Sequence, residues 1–345
     1  MERKMVTFPE IGQFRQIIKL VHDNTRYSGK TENGDAIFDA SKVLPTLTFS
    51  GTIKLHGTNA GVTLTRDGDM YAQSRENVIT TEKDNAGFAF FVESNKEIFK
   101  SLFKTLDIKD ADYITIFGEW CGGNIQKGVA INGLPKMFVI FAVKLSYVDE
   151  TKVNYFLTDD ETKHLKNPES KIYNILDYEQ YKIDIDFENP QLAQNKLIEL
   201  TSNVEAECPF GKAFGNIGIG EGIVWKCDTP RGTIRFKVKG EKHSSSKVKT
   251  LAPVNTEKVS SIKEFAEYAV TESRLNQGIE KVFTSVNQPI DIKKMGDFLK
   301  WINSDVIKEE IDTLNDNGLE PKDVNSAISN LARTWFLDKW NNLGF

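Results

Sequence analysis

"GTIKLHGTNAGVTL" (residues 51–64) decides how this chain is read. Ile53 and Leu55 flank Lys54 in period-2 alternation, so a strand carries the lysine on the side opposite its apolar neighbours. His56, Gly57, Thr58 and Asn59 follow as a polar, glycine-containing turn. The plain reading is an edge-strand lysine beside a turn. A sharper role needs cations nearby, because an amine becomes a nucleophile only after losing its proton, and positive neighbours favour that loss.

Such cations lie in "GTIRFKVKG" (232–240), where alternation puts Ile234, Phe236 and Val238 on one face and Arg235, Lys237 and Lys239 on the other. From 231 to 249 the chain carries Arg231, Arg235, Lys237, Lys239, Lys242, Lys247 and Lys249 against Glu241 alone. A local basic stripe in a protein of net charge −5 can hold a phosphate without binding every polyanion. The competing reading is a charged strand edge that discourages aggregation.

Other stretches set acids or aromatics among apolar strands. "YITIFGEWCGGNIQKG" ends a strand in Glu119 before a Gly-Gly turn, and "GIGEGIVWKC" carries Glu221 and, five residues on, Lys226. Strict alternation separates those two side chains; a bulge at Gly222 brings them together. By default Phe141 in "MFVIFAV" is core packing, and Arg75 in "AQSREN" is an exposed arginine.

The texture from about 47 to 240 is short alternating strands, including a hairpin at Asp67-Gly68, with helices between them such as 90–106. That mixture predicts an α+β domain built on antiparallel sheets. Before it, "FRQIIKLVHD" (14–23) sets Phe14, Ile17, Ile18 and Val21 on a helical stripe, and the polar run "NTRYSGKTENGD" (24–35) reads as a loop. After it, "SSSKVKTLAPVN" reads as a linker to a small all-α C-terminal domain over 255–345. There Ser261 and Glu264 form a capping box, and Val324, Ile328, Leu331 and Trp335 follow Pro321 at helical spacing. The expected division is therefore residues 1–250, with a helical leader, and 255–345.

Composition excludes several classes. The longest apolar run is far short of the roughly 20 residues of a membrane span, and the N-terminal "MERKMVTFPE" lacks the apolar segment of a signal peptide. Cys121, Cys208 and Cys227 are odd in number with no CxxC spacing, which fits a reducing cytoplasm better than a disulfide framework. His22, His56, His164 and His243 show no zinc spacing. The expectation is a cytoplasmic, monomeric protein.

Taken in order, "KLHGTN", the arginine of "SREN", "FGEW", "MFVIFAV", "EGIVWK" and "RFKVK" resemble the motifs of the ATP-dependent RNA ligases of the nick-sealing type. These include the phage type-2 RNA ligases and trypanosome RNA-editing ligases, within the covalent nucleotidyltransferase superfamily. The resemblance covers roughly 50–240 and implies a nucleotidyltransferase (ATP-grasp-like ligase) domain. It implies that Lys54 attacks the α-phosphate of ATP and becomes lysyl-AMP. Glu119 and Arg75 would hold the ribose hydroxyls, Phe141 would stack on adenine, and His56 and Asn59 would flank the nucleotide. Glu221 would act near the nucleotide or a Mg²⁺ (or Mn²⁺) ion, with Lys226 close by, and Lys237 and Lys239 would grip the phosphate. A nicked RNA or RNA/DNA duplex is the implied partner, with the 3′-OH nucleotide beside two of Phe88, Phe90 and Phe91. Relatives often carry glutamate just before the nucleophile; here that residue is Ile53. Open alternatives are an ATP-dependent DNA ligase, a dual-sugar enzyme, and a nucleic-acid-end binding protein without turnover.

Overall fold

Alternating apolar residues build sheets where the sequence places them. The computed structural model describes residues 2–108, 110–243, 262–283, 289–316 and 318–341. Its largest sheet runs Tyr155–Phe156, Met137–Ser146, Tyr113–Cys121, Thr58–Thr65, Met70–Ser74 and Val78–Ile79, all antiparallel neighbours. Ile172–Asn174 adds one parallel strand beside Met137–Ser146. The Asp67-Gly68 turn closes the expected hairpin, with Gly68 at φ 87° and its N–H donating to the Thr65 carbonyl.

One face of this sheet buries Val62, Ala72, Ile114, Ile116 and Ile140 beneath the helices Phe88–Ser94 and Lys96–Lys104. The sequence reads one helix over 90–106. The structure has two, because Asn95 (φ −114°, ψ 22°) leaves helical geometry between them. The opposite face carries Tyr113, Phe117 and Ala142, packed with Val6 and Phe8 of the N-terminal segment.

A second strand pair joins Thr46–Lys54 to Gly222–Thr229, antiparallel, in register from Gly222↔Lys54 to Lys226↔Ser50. Phe49, Ile53, Ile223 and Trp225 are buried, while Ser50, Thr52, Lys54, Val224 and Lys226 alternate onto the half-buried face. Ile53 thus points into the core opposite Ile223, where a glutamate would be buried among apolar groups.

Contacts group the chain into two units, and they do so discontinuously. The first unit comprises the N-terminal stretch to Ile11, Thr48–Ile183 and Asn203–Arg235, and it holds the large sheet and most of the strand pair. The second gathers Gly12–Leu47, Asp184–Ser202 and the chain from Phe236 on. In the second unit the leader helix, Phe14–Arg26, buries Phe14, Ile17 and Val21, and the Phe14 ring lies 5.2 Å from Phe236. The polar run at 24–35 is not a simple loop: Tyr27–Lys30 and Ala36–Phe38 pair as an antiparallel hairpin. Both strands are largely exposed, so no apolar alternation marked them.

Among the described residues this unit also holds the helices Ile262–Ala269, Glu272–Val282, Met295–Asp316 and Pro321–Asn341, the last beginning at the proline as expected. Val324, Ile328, Ala332 and Phe336 form its buried stripe, whereas Leu331 is exposed and Trp335 only partly covered. An every-fourth-residue stripe moved the buried side one position along from the expected pair. Ser261 and the linker lie outside the described residues.

A buried ion network ties the leader helix to these helices. Arg15 donates to Glu310 at 2.9 Å and to Asp312 at 2.7 Å, and Arg274 reaches Asp305 at 2.8 Å and Glu310 at 3.5 Å. Glu310 and Arg274 are fully buried, and a buried charge is tolerable only when paired in this way. Burial works against the Arg15 charge, but Glu310 and Asp312 more than offset it and raise its pKa above the usual value. Among the described residues no helix is long and apolar enough to cross a membrane.

Candidate active site

Strand alternation aims Lys54 away from the core at the last position of Thr46–Lys54. Its amine donates to Glu221 Oε2 at 2.7 Å, with the Lys54 side chain 21% exposed and that of Glu221 2%. Glu221 precedes Gly222, which pairs with Lys54 and adopts φ 151°, a value L side chains rarely take. Alternation therefore does not carry past Gly222, and Glu221 turns onto the lysine. His56 Nδ1 lies 3.4 Å from the same Glu221 oxygen.

The turn after Lys54 closes against the large sheet. Gly57 N–H donates to Glu119 Oε1 at 2.9 Å, and the Gly57 carbonyl accepts from Gln126 Nε2 at 3.2 Å. A Cβ on Gly57 would meet the Trp120 carbonyl oxygen, and Cys121 Cβ at 2.7 Å. Backbone cannot yield as a flexible side chain does. We expect Gly57→Ala to destabilise the protein by about 1–3 kcal/mol, the usual cost of overpacking, as read by thermal melting. An unchanged melting temperature would mean the turn is looser than this geometry.

Burial pushes the Glu119 carboxyl up from its ordinary pKa, the Lys54 charge opposes this, and Glu221 adds to it. The Gly57 N–H and His56 also favour its ionised form. Two carboxylates thus share one lysine and one histidine, an arrangement suited to a polyol or a cation.

Strand register brings three further residues to the same end of the large sheet. Asn59 sits directly opposite Glu119, so both side chains leave one face. Ser74 pairs with Ala60, the neighbour of Asn59, and Arg75 occupies the exposed bend one residue on. Phe141 sits at a bulge: Phe117 faces Ala142 while Gly118 faces Ile140, leaving Phe141 as the extra residue. The bulge turns Phe141 onto the face of Phe117 and Ala142. There its ring meets Phe8 edge-on at 5.1 Å.

Not every expected residue joins this group. Glu221 turns onto the Lys54 face at Gly222, a face Lys226 shares, but unbroken register sets Lys226 opposite Ser50, four positions along the strand. Lys226 instead donates to Asp159 at 2.5 Å and lies 3.6 Å from Asp228. These groups line an open cavity of about 450 Å³ with Ser50, Gln180 and Lys182. Within the basic stripe Arg231 and Lys242 are exposed, but Arg235, Lys237 and Lys239 on the strand are half-buried. Arg235 stacks over Phe156 at 4.3 Å and over Phe8 at 5.5 Å, and burial lowers its pKa. Lys237 and Lys239 belong to the second unit, where Lys237 donates to Glu309 at 2.8 Å; Lys247 and Lys249 lie outside the described residues.

Of the three phenylalanines, Phe88 is core, Phe91 packs on Trp120 with ring centroids 4.7 Å apart, and Phe90 is 66% exposed. Sequence reading missed Gln126, which sits inside a quoted motif, and Phe8. Gln126 is buried and reaches the turn across 69 positions, and nothing local to either residue signals the contact.

No match is found among curated proteins. Among solved structures the chain is similar to a Naegleria gruberi RNA ligase with PPi, at 16% identity and a TM-score of 0.44. Substituted forms of that ligase with ATP and Mn and with AMP and Mn match at 17% and 15% identity, each with a TM-score of 0.43. In each case the match covers 68% of this chain but only 56% of the other. The RNA ligase family model matches residues 47–239, more than half of the sequence and the whole span from the Lys54 strand to Lys239. The chain belongs to the RNA ligase family.

Proposed function

We propose that the chain is an ATP-dependent polynucleotide ligase that joins 3′-OH and 5′-phosphate ends, sealing nicks in RNA-containing duplexes. One observation carries this reading: a strand-end lysine, Lys54, held on a buried glutamate, Glu221, beside a second carboxylate, Glu119. Nucleotidyl transfer needs an amine placed in line and cations around developing phosphate charge, more than elaborate acid–base machinery.

In this reading the Lys54 amine, after giving up a proton, forms a bond to the α-phosphorus of ATP. The bond from that phosphorus to the bridging oxygen breaks, and pyrophosphate leaves. The nucleotidyl group then passes to a 5′-phosphate oxygen, freeing Lys54. Attack by the 3′-OH on that phosphate releases AMP and closes the strand. Glu119 and Arg75 accept and donate at the ribose, Asn59 and His56 flank it, and the face of Phe141 takes the adenine. Lys237 and Lys239 hold the phosphate, and Phe90 offers an exposed ring to a nucleotide base. Lys226 orders the strand next to Glu221 through its Asp159 pair. The helical region after 255 engages nucleic acid.

Among the described residues no three His, Cys, Asp or Glu side chains are grouped to hold a metal by themselves. Glu221 and Glu119 supply hard oxygen donors that fit Mg²⁺ or Mn²⁺ held chiefly by phosphate and water. Such an ion, when bound, neutralises charge on the phosphate.

The test is incubation of purified protein with α-labelled ATP and Mg²⁺, followed by denaturing electrophoresis. The expected result is label retained on the chain, then lost when nicked duplex is added. Nicks ending in ribose should seal faster than nicks ending in deoxyribose; the reverse order would make the chain a DNA ligase. No label on the chain and no sealing would leave only an end-binding role.

A further inference from the structure

The second unit supplies an acid that none of the motifs contains. Glu309 lies in the helix Met295–Asp316, immediately before Glu310, where φ −119° and ψ 16° interrupt the helix. Glu309 Oε1 accepts from Lys237 Nζ at 2.8 Å and Oε2 accepts from Gln13 Nε2 at 3.1 Å. Both charged side chains are mostly covered, Lys237 16% exposed and Glu309 15%. Gln13 is placed by backbone pairing, because Gly12–Gln13 runs parallel to the basic strand with Gln13 opposite Lys237. The Glu309 carbonyl is itself fixed, accepting from Arg15 Nη2 at 2.8 Å. Arg15 in turn is locked by Glu310 and Asp312.

We propose that Glu309 is a positioning residue for the phosphate-gripping lysine: its carboxylate, held by Gln13 and the Arg15 network, fixes the direction in which the Lys237 amine meets a phosphate oxygen. This rests on the ligase reading above. An ammonium has three N–H donors, so a bond to Glu309 is compatible with a bond to phosphate. A lysine stem is long and loses much rotamer freedom when ordered, so an amine already held in place meets the transition state at lower cost. The interrupted helix has a clear part in this. Consecutive glutamates on a regular helix diverge by a fixed angle, whereas the irregular backbone at Glu310 lets one reach Lys237 while the next reaches Arg15 and Arg274.

The experiment is a double-mutant cycle on single-turnover labelling of the chain by α-labelled ATP, with thermal melts of every variant. Glu309→Ala should slow labelling about tenfold, within the coupling expected of contacting residues, and should cost less than about twofold in a Lys237→Ala background. Glu309→Gln keeps a carbonyl oxygen for the amine and should recover most of the rate. If Glu309→Ala does not fold, Glu309→Asp, which draws the carboxylate back by one methylene, takes its place in the same cycle with a loss of the same sign. A merely structural glutamate would give equal losses in both backgrounds, and that result overturns the inference, as does a Glu309→Ala rate within twofold of the parent. Absence of label on the parent chain overturns the ligase reading instead.

Discussion

Lys54→Ala is expected to abolish labelling of the chain by α-labelled ATP, below detection rather than merely reduced. In the ligase reading the Lys54 amine is the nitrogen that bonds to phosphorus, and alanine removes it outright. The more telling variant is Lys54→Arg. A guanidinium keeps a positive charge beside Glu221 and preserves the 2.7 Å ion pair in kind, but it is not deprotonated in proteins and cannot act as the nucleophile. Lys54→Arg should therefore melt close to the parent and take no label. Labelled Lys54→Arg would remove Lys54 from the chemistry. An arginine variant that is unlabelled but unfolded would say nothing of catalysis, which is why the melt accompanies the assay.

Lys237→Ala is expected to slow labelling by about 10²–10³-fold, the usual loss when one donor to a developing oxyanion is removed. It should also change how stability responds to acid. Burial works against the Glu309 charge, yet Lys237 and, more weakly, Lys239 outweigh it and bring its pKa down to about 2 from an ordinary 4.5. A carboxyl with a depressed folded pKa stabilises the protein above its unfolded pKa, and that contribution is lost as pH falls towards the folded value. Here the window is pH 4.5 down to 2, and the shift corresponds to at most about 3 kcal/mol. Removing Lys237 leaves Glu309 covered and short of its main partner. The stability gap between parent and Lys237→Ala should be widest near neutral pH and shrink through that window, as followed by denaturant melts. A gap independent of pH would mean the pair contributes little in solution.

Much of the site was legible because its parts are strand-borne. Alternation alone gives the orientation of Lys54 and the two-faced character of the Lys237 strand, and the ordered motifs give Glu119, Asn59 and Glu221. Other features depend on partners that a linear reading cannot supply. Phe141 looks like core because its turn onto the Glu119 face comes from a register shift against Gly118, visible only when both strands are present. Glu221 and Lys226 share a face once alternation breaks at Gly222, yet the continuous register with Ser50–Lys54 keeps Lys226 four positions along the strand, opposite Ser50. Glu309 is invisible for a different reason: two adjacent acids on a helix look like a solvated surface, and here the break at Glu310 turns them to different partners. The grouping of the leader helix with helices far along the chain arises from Arg15, whose partners Glu310 and Asp312 lie 295 and 297 positions away.

That last separation has a consequence for how the molecule is made. On the ribosome Arg15 emerges 295 residues ahead of Glu310 and 297 ahead of Asp312. The first unit has most of its strands in hand by Arg235 and can collapse while translation continues. The leader helix, in contrast, meets Phe236 and the strand beside it first and then waits with an unmatched guanidinium, only partly held until its acids arrive. Nascent chains stalled before residue 309 should therefore be cut first within 12–47, and extension far enough to expose Asp312 should close that vulnerable interval.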